Sequence, residues 1–431
     1  MTDDEIMEMA IAAHREGNRE EAARLYTAIL SKEPEHPDAL HYLGLLVYQS
    51  GDSEEGAALI EKSLSIKPEQ PSALNNLGNI YRLLGHDEDA MRAYWSTVKL
   101  DPGHANAWGN MAVIYRNHHQ PETAQKTIRI ALTFDPQSFS ARHTLGLTLL
   151  DTEKYDDALQ VFRDLIRDNP FKGGIARLYS GLLNHFGHPD EALSLLEEWR
   201  EQEPDNPIAE HYVNAQKGIN STVASESYVR QTFDSFADTF EGVLKGLDYR
   251  TPDILAEKID RIYGDDRLTD VIDLGCGTGL LGPHLKPRSD HLIGLDLSPN
   301  MMLRAKAKDV YDDLVEADIA TYLDAGPEAR YDLATAADVF VYIGDLGPVF
   351  DSVARSLRPG GRFLVTFEAW DKPAEEGYQL LHTGRFAHRE DYVRNCAASA
   401  GFDAGQIDRI PLRKEFSDMI EGLVVELVKP A

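Results

Sequence analysis

Cysteine is nearly absent: the 431 residues hold two, Cys276 and Cys396. Two thiols are too few for a four-ligand structural zinc site, and they suit a reducing compartment better than a disulfide framework. Long apolar runs are missing too. No stretch reaches the roughly 18 residues a membrane-spanning helix needs. The opening Met-Thr-Asp-Asp-Glu-Ile-Met-Glu carries acid where a secretory leader carries base and then an apolar segment, so the expected location is the cytoplasm. Positive charge is scarce, with 43 Lys and Arg against 72 Asp and Glu and a net charge of −29. Nucleic acid is bound mainly through neutralised phosphates, so neither nucleic acid nor a membrane is an expected partner. A hydrophobic fraction of 42% suffices for ordinary cores, and the length predicts about two to three domains.

What is abundant is order along the chain. Pro34, Pro68, Pro102, Pro136, Pro170 and Pro204 recur every 34 residues. Small residues keep the same step: Ala10, Gly44, Gly78, Ala112, Gly146 and Ser180, then Ala22, Gly56, Ala90, Ala124, Ala158 and Ala192. Small side chains at a fixed period mark where paired helices touch, and a 34-residue period resembles the tetratricopeptide repeat (TPR). That resemblance implies six stacked helical hairpins over about residues 3–206, with a capping helix from Pro207 to about Gly218. It also implies a concave groove lined by Asn75, Asn76, Asn79, Arg82, Asn110, Arg116, Asn117 and Arg177. Carboxamides can hold an extended peptide backbone and arginines can pair with carboxylates; the competing reading is a merely solvated polar face.

The second half is organised around Val271-Ile272-Asp273-Leu274-Gly275-Cys276-Gly277-Thr278-Gly279-Leu280-Leu281-Gly282. It reads as a buried strand, a glycine turn that lets backbone pass close to a ligand, and a helix start. A further apolar run ends in Asp296, placed to accept hydrogen bonds from ribose hydroxyls. Gly277-x-Gly279-x-x-Gly282 also fits the dinucleotide pattern, a weak signal alone. The fuller run Asp-Leu-Gly-Cys-Gly-Thr-Gly resembles motif I of the class I S-adenosylmethionine (SAM) methyltransferases. The resemblance implies SAM as cofactor and S-adenosylhomocysteine (SAH) as product. It also implies a mostly parallel, seven-stranded Rossmann-like sheet with a C-terminal antiparallel hairpin. Its cofactor site would comprise Asp273, Gly275, Cys276, Gly277, Gly279, Asp296, Leu297, Met301, Asp318, Ile319 and Ala336. Phe240 would come from an aromatic lid, since Phe233, Phe236 and Phe240 share one helical face.

These features divide the chain into a repeat domain at 1–218, a polar linker and lid at 219–250, and a methyltransferase domain at 251–431. End to end, the chain resembles a group of bacterial TPR-containing predicted methyltransferases. Methyl transfer needs a positioned, desolvated nucleophile and no obligatory metal. Candidate acceptor-side residues are Tyr342, Asp338, Arg385 and His388. Arg385 is placed to hold a carboxylate, and His388 to act as base or simply to cap a helix start. The first functional reading is methylation of a peptide or protein recruited by the repeats. The alternative is a small-molecule or natural-product O- or N-methyltransferase whose repeats serve partner docking or a homodimer. A third reading is a SAM-binding scaffold.

Overall fold

Small residues decide how the first helices meet. In this computed structural model, an added Cβ at Gly44 would stand 2.8 Å from the Gly56 carbonyl, one at Gly78 would stand 2.6 Å from the Tyr94 ring, and one at Gly146 would stand 2.6 Å from the Phe162 ring. The periodic glycines are therefore contact points at which backbone or a buried ring fills the place of a side chain. The structure describes residues 2–168, 175–237, 240–246, 249–415 and 418–431. Pro170, parts of the expected lid at 238–239 and 247–248, and the 416–417 turn lie outside them.

The chain folds as two units, Met1–Ile175 and Ala176–Ala431. The first holds the helices α1 (Asp3–Arg15), α2 (Arg19–Lys32), α3 (Pro37–Gln49), α4 (Ser53–Ile66) and α5 (Pro71–Leu83). It continues with α6 (Asp87–Leu100), α7 (Ala105–Asn117), α8 (Pro121–Phe134), α9 (Phe139–Asp151) and α10 (Tyr155–Asp168). Caps set the starts: Thr2 and Glu5 form a reciprocal capping box, and Asn18 and Asp52 accept amide N–H groups of the following turns. Proline at the first positions of α3, α5 and α8 needs no donor there.

The second unit begins with α11 (Ile175–His185), α12 (Pro189–Gln202), α13 (Pro207–Gln216), α14 (Glu226–Phe236), α15 (Phe240–Gly246) and α16 (Thr251–Tyr263). Then come β1 (Leu268–Leu274), α17 (Gly282–Leu285), β2 (Ser289–Asp296), α18 (Pro299–Ala307), β3 (Asp313–Glu316), α19 (Ile319–Ala325), β4 (Tyr331–Ala336) and α20 (Gly347–Ser356). The chain closes with β5 (Leu357–Ala369), β6 (Tyr378–Leu380), β7 (Phe386–His388), α21 (Glu390–Ser399), β8 (Asp403–Glu415) and β9 (Asp418–Val428). By packing, the last repeat helices thus belong with the sheet, although sequence period places a division near residue 218.

Strands β3-β2-β1-β4-β5 lie side by side and parallel, and β9 and β8 follow antiparallel. This is a Rossmann-like arrangement, and its parallel strands are apolar on both faces, as the buried Val271, Ile272 and Leu274 of β1 illustrate. A short hairpin, β6–β7, extends from the end of β5, where Glu368 pairs with Ala387 and Ala369 with His388.

The structure adds three local details. The helix after the glycine turn has only four residues, Gly282–Leu285. A strand at Phe386–His388 leads directly into the helix Glu390–Ser399. The polar 219–226 segment is a bound strap: Asn220 Oδ1 accepts the Leu380 N–H at 2.8 Å, Thr222 O accepts the N–H groups of Gly344 and Asp345, and Ala224 N–H donates to Tyr342 O at 2.9 Å.

Candidate functional site

The carboxyl ends of β1, β2 and β4 open into a cavity of about 960 Å³, built wholly from the second unit. Parallel strands bring their ends to one edge, where loops rather than ladder bonds decide the chemistry. At one end of the cavity lie Gly275, Gly277, Asp296, Leu297, Met301, Asp318 and Ile319. Ala337, Asp338 and Val339, beyond β4, come next, followed by Tyr342 and the turn His382–Arg385. The roof is α14 and α15, through Tyr228, Thr232, Phe233, Phe236, Phe240 and Val243.

The three motif glycines do different work. Gly275 (φ +68°) and Gly279 (φ +79°) are pressed by protein: a Cβ would stand 2.4 Å from Val339 and 2.9 Å from Tyr311 respectively. Gly277 (φ +55°) alone of the three faces open space, with nothing within 4 Å of its Cβ position. Its N–H donates to Asp296 Oδ2 at 2.8 Å, and the Ser298 N–H donates to Oδ1 at 2.8 Å. Burial pushes the Asp296 carboxyl above the ordinary range against these stabilising bonds. Asp318 caps α19, accepting the Thr321 N–H at 2.9 Å through one oxygen.

Several expected cofactor residues stand behind the cavity wall. Asp273 is buried with its carboxylate committed: Tyr311 OH donates at 2.7 Å and Thr335 Oγ1 at 2.9 Å. Desolvation lifts its pKa to about 6 and also pushes the Tyr311 hydroxyl up. It positions the loop. Cys276 is buried, its N–H donating to Leu295 O at 2.9 Å, and Ala336 is fully buried at the end of β4. With Gly279, these residues support the loop and do not line the cavity.

On the acceptor side, Tyr342, Asp338 and Arg385 line the cavity. Asp338 adopts φ +56°, a strained conformation for a residue with a Cβ. Thr366 Oγ1 holds it twice, accepting its N–H at 2.8 Å and donating to Oδ1 at 3.1 Å. Tyr342 meets Phe233 edge-on at 5.5 Å.

His388 is a correction. It is fully buried in β7, with Nε2 3.2 Å or less from the carbonyls of Ile343 and Gly344, which can only accept. Burial lowers its pKa to about 4. It is neither a base at the cavity nor a helix cap. An unfolded histidine protonates near 6.5, so its folded value is the depressed one. Its contribution to stability is intact above about pH 6.5 and is lost as pH falls toward 4. His388→Gln keeps a donor but does not titrate. Its urea stability should flatten over that window by about 2–3 kcal/mol relative to wild type, with unchanged SAH affinity; an unaltered pH profile would contradict the assignment.

Several of the expected groove residues are already bonded within the protein. Asn76 Nδ2 lies 3.0 Å from His41 Nε2, and Asn79 Oδ1 accepts from Tyr94 OH and Asn110 Nδ2, each at 2.8 Å. Arg116 pairs with Asp151 at 2.6 Å, and Asn75 is buried. Arg82 and Asn117 are exposed. Arg177 belongs to the second unit, where it lines the cavity.

Sequence reading missed the strap, and it missed Tyr212, Tyr228, Thr232 and Asp234. Asp234 Oδ1 accepts from Ser298 Oγ at 2.6 Å and from the Asn300 N–H at 3.3 Å, clamping α14 onto α18. A signal was available: Tyr228, Thr232, Phe236 and Phe240 recur every fourth residue. Among the described residues no group of three His, Cys, Asp or Glu side chains could hold a metal, and no helix is long and apolar enough to cross a membrane.

A family model described as a methyltransferase domain matches residues 272–363, and tetratricopeptide-repeat models match 7–71, 72–100, 93–126 and 149–211. The chain is 28% identical over 191 residues to the malonyl-[acyl-carrier protein] O-methyltransferase of Pseudescherichia vulneris, covering 42% of this chain and 70% of that one. It is 29% identical over 148 residues to the trans-aconitate 2-methyltransferase of Rhizobium rhizogenes (34% and 53% covered). It is 27% identical over 221 residues to phosphoethanolamine N-methyltransferase 1 of Zea mays (44% and 42% covered). The chain thus spans about half the length of the latter two. A solved magnesium protoporphyrin IX methyltransferase from Synechocystis with bound SAH is similar at 18% identity and TM-score 0.38, covering 48% of this chain and 100% of that one.

The chain therefore joins tetratricopeptide repeats, a module of protein–protein interaction, to a methyltransferase domain. It is an S-adenosylmethionine-dependent methyltransferase.

The cavity fits that cofactor. A nucleoside without phosphates needs carboxylate acceptors and apolar flanks, which Asp296, Asp318, Leu297, Met301 and Ile319 provide. A pyrophosphate would need donors or cations. At this end no Lys, Arg or His lines the cavity among the described residues, and α17 is four residues long.

Proposed function

We propose that the protein transfers a methyl group from SAM to a small-molecule acceptor held in the cavity. The size of the cavity carries this reading. A volume of about 960 Å³ lies at the upper end of the ~300–1,000 Å³ range of small-ligand sites, enough for a cofactor and a compact acceptor together. Two of the three relatives named above, whose names specify trans-aconitate and phosphoethanolamine, point the same way; the third is named for a malonyl group on an acyl-carrier protein. The spent hydrogen bonds of Asn76, Asn79, Asn110 and Arg116 weaken the alternative of peptide capture along those residues.

In this reading Asp296 and Asp318 accept the hydroxyl and amino donors of the nucleoside, and Leu297, Met301 and Ile319 flank the base. Bound there, SAM supplies a methyl carbon made electrophilic by a sulfonium. The chain's residues then orient the acceptor and exclude water. Phe233, Phe240 and Tyr342 wall off solvent, which strengthens every polar contact inside. Asp338, held by Thr366, accepts a hydrogen bond from an acceptor hydroxyl or amine and points its lone pair.

The test is calorimetry with SAH, followed by incubation of the full chain with methyl-labelled SAM and a cell extract. Label should pass a dialysis membrane. Label retained only on macromolecules would favour the recruited-protein reading, and failure to bind SAH would end both.

A further inference from the structure

The far end of the cavity is not built by the sheet. Arg177, Leu178 and Gly181 of α11 and Tyr212 of α13 line it, together with Arg385 of the β6–β7 turn. A seam fixes these pieces together. Tyr212 OH donates to Thr383 O at 3.1 Å, His211 Nε2 lies 2.9 Å from Gly384 O, and the His211 ring stacks on Tyr228 at 3.8 Å and 18°. Gly384 has φ +78°, and a Cβ there would stand 3.1 Å from Tyr212 and from the Tyr228 hydroxyl. The turn therefore has one position against α13.

The chemistry of this end is distinctive. In a chain of net charge −29, the arginines lining the cavity, Arg177 and Arg385, both lie here, and both act electrostatically on the Tyr228 hydroxyl. Thr232 Oγ1 and Thr383 Oγ1 are buried with no hydrogen-bond partner among the described residues. Thr232 sits one helical turn beyond Tyr228, so both share a face of α14.

We propose that this end is an oxyanion subsite: Arg177 and Arg385, with the hydroxyls of Thr232 and Thr383, hold a carboxylate or phosphate of the acceptor while its apolar body lies along Phe233 and Tyr342. The inference rests on the methyltransferase reading and names its acceptor class. Guanidinium groups match oxyanions with paired N–H donors in a planar fork. An oxyanion so held is a poor nucleophile, so the methylated atom is a different one, nearer Asp338. The last repeat is then a specificity element of the enzyme.

The test uses the full chain loaded with SAH and three probes at on the order of 10 mM: trans-cinnamate, phenyl phosphate and neutral cinnamamide. At least one of the two acids should raise the melting temperature beyond SAH alone and the amide should not; the larger shift tells which oxyanion is preferred. Arg177→Met and Arg385→Met should each weaken the acid at least tenfold, with SAH affinity within twofold of wild type as proof of folding; Arg177→Lys should restore part of it. No acid-specific shift in the wild type overturns the subsite, and so does a shift that survives both variants. Loss of SAH binding by the wild type would instead strike the underlying methyltransferase reading.

Discussion

Asp296→Ala is expected to remove measurable SAH binding by calorimetry, a loss of at least a hundredfold. Its two oxygens already collect the N–H groups of Gly277 and Ser298, so the side chain ties the glycine turn to the loop after β2 and presents its remaining lone pairs to the cavity. Truncation leaves two amides unpaired and the ribose without its acceptor. Each lost charge-assisted bond or orphaned donor costs about 1–3 kcal/mol, and about 3–5 kcal/mol together is a factor of hundreds to thousands. An asparagine would keep the shape but turn one donor against another, so Asp296→Asn should lose less than Asp296→Ala yet clearly bind worse than wild type. Because the carboxyl is held above its ordinary range by burial, SAH affinity of the wild type should also fall as pH drops into the acid range where it protonates. An affinity within threefold of wild type for Asp296→Ala would discard the nucleoside assignment.

The second large effect concerns where the catalytic unit begins. A fragment of residues 220–431, the natural cut on repeat period, removes α11–α13. That strips the His211 stack and the Tyr212 bond, uncovers Tyr228, which is 2% exposed, and takes away one wall of the cavity. Residues 176–431 keep all of these. The shorter fragment should melt at least about 10 °C below the longer one, since uncovering several large side chains costs several kcal/mol. It should also lose methyl transfer that the longer one retains. Equal melting temperatures would show that the seam contributes little.

Much of this was readable from residue types. The 34-residue period and its small residues foretold the helix crossings, because a helix pair that close has no room for more. That Asp296, Gly277 and Asp318 face the cavity was legible because strand ends of a doubly wound sheet are where ligands sit. The failures share a cause. Asp273 and His388 are ionisable groups whose partners, Tyr311, Thr335 and two backbone carbonyls, come from distant segments, so nothing in the local sequence distinguishes a buried group from a reactive one. Arg177 was assigned by its repeat position, whereas packing between distant segments places it on the same cavity as Arg385. The β6–β7 hairpin is too short for its period to register.

The strap has its own consequence. Residues 222–224 grip the loop after β4 through main-chain atoms of Thr222 and Ala224. Such a grip is blind to side-chain identity, so homologues can drift at these positions while the geometry persists. Only Asn220, which binds Leu380 through its side chain, ties the strap's identity to its role, and the main-chain part holds in place the loop that carries Tyr342.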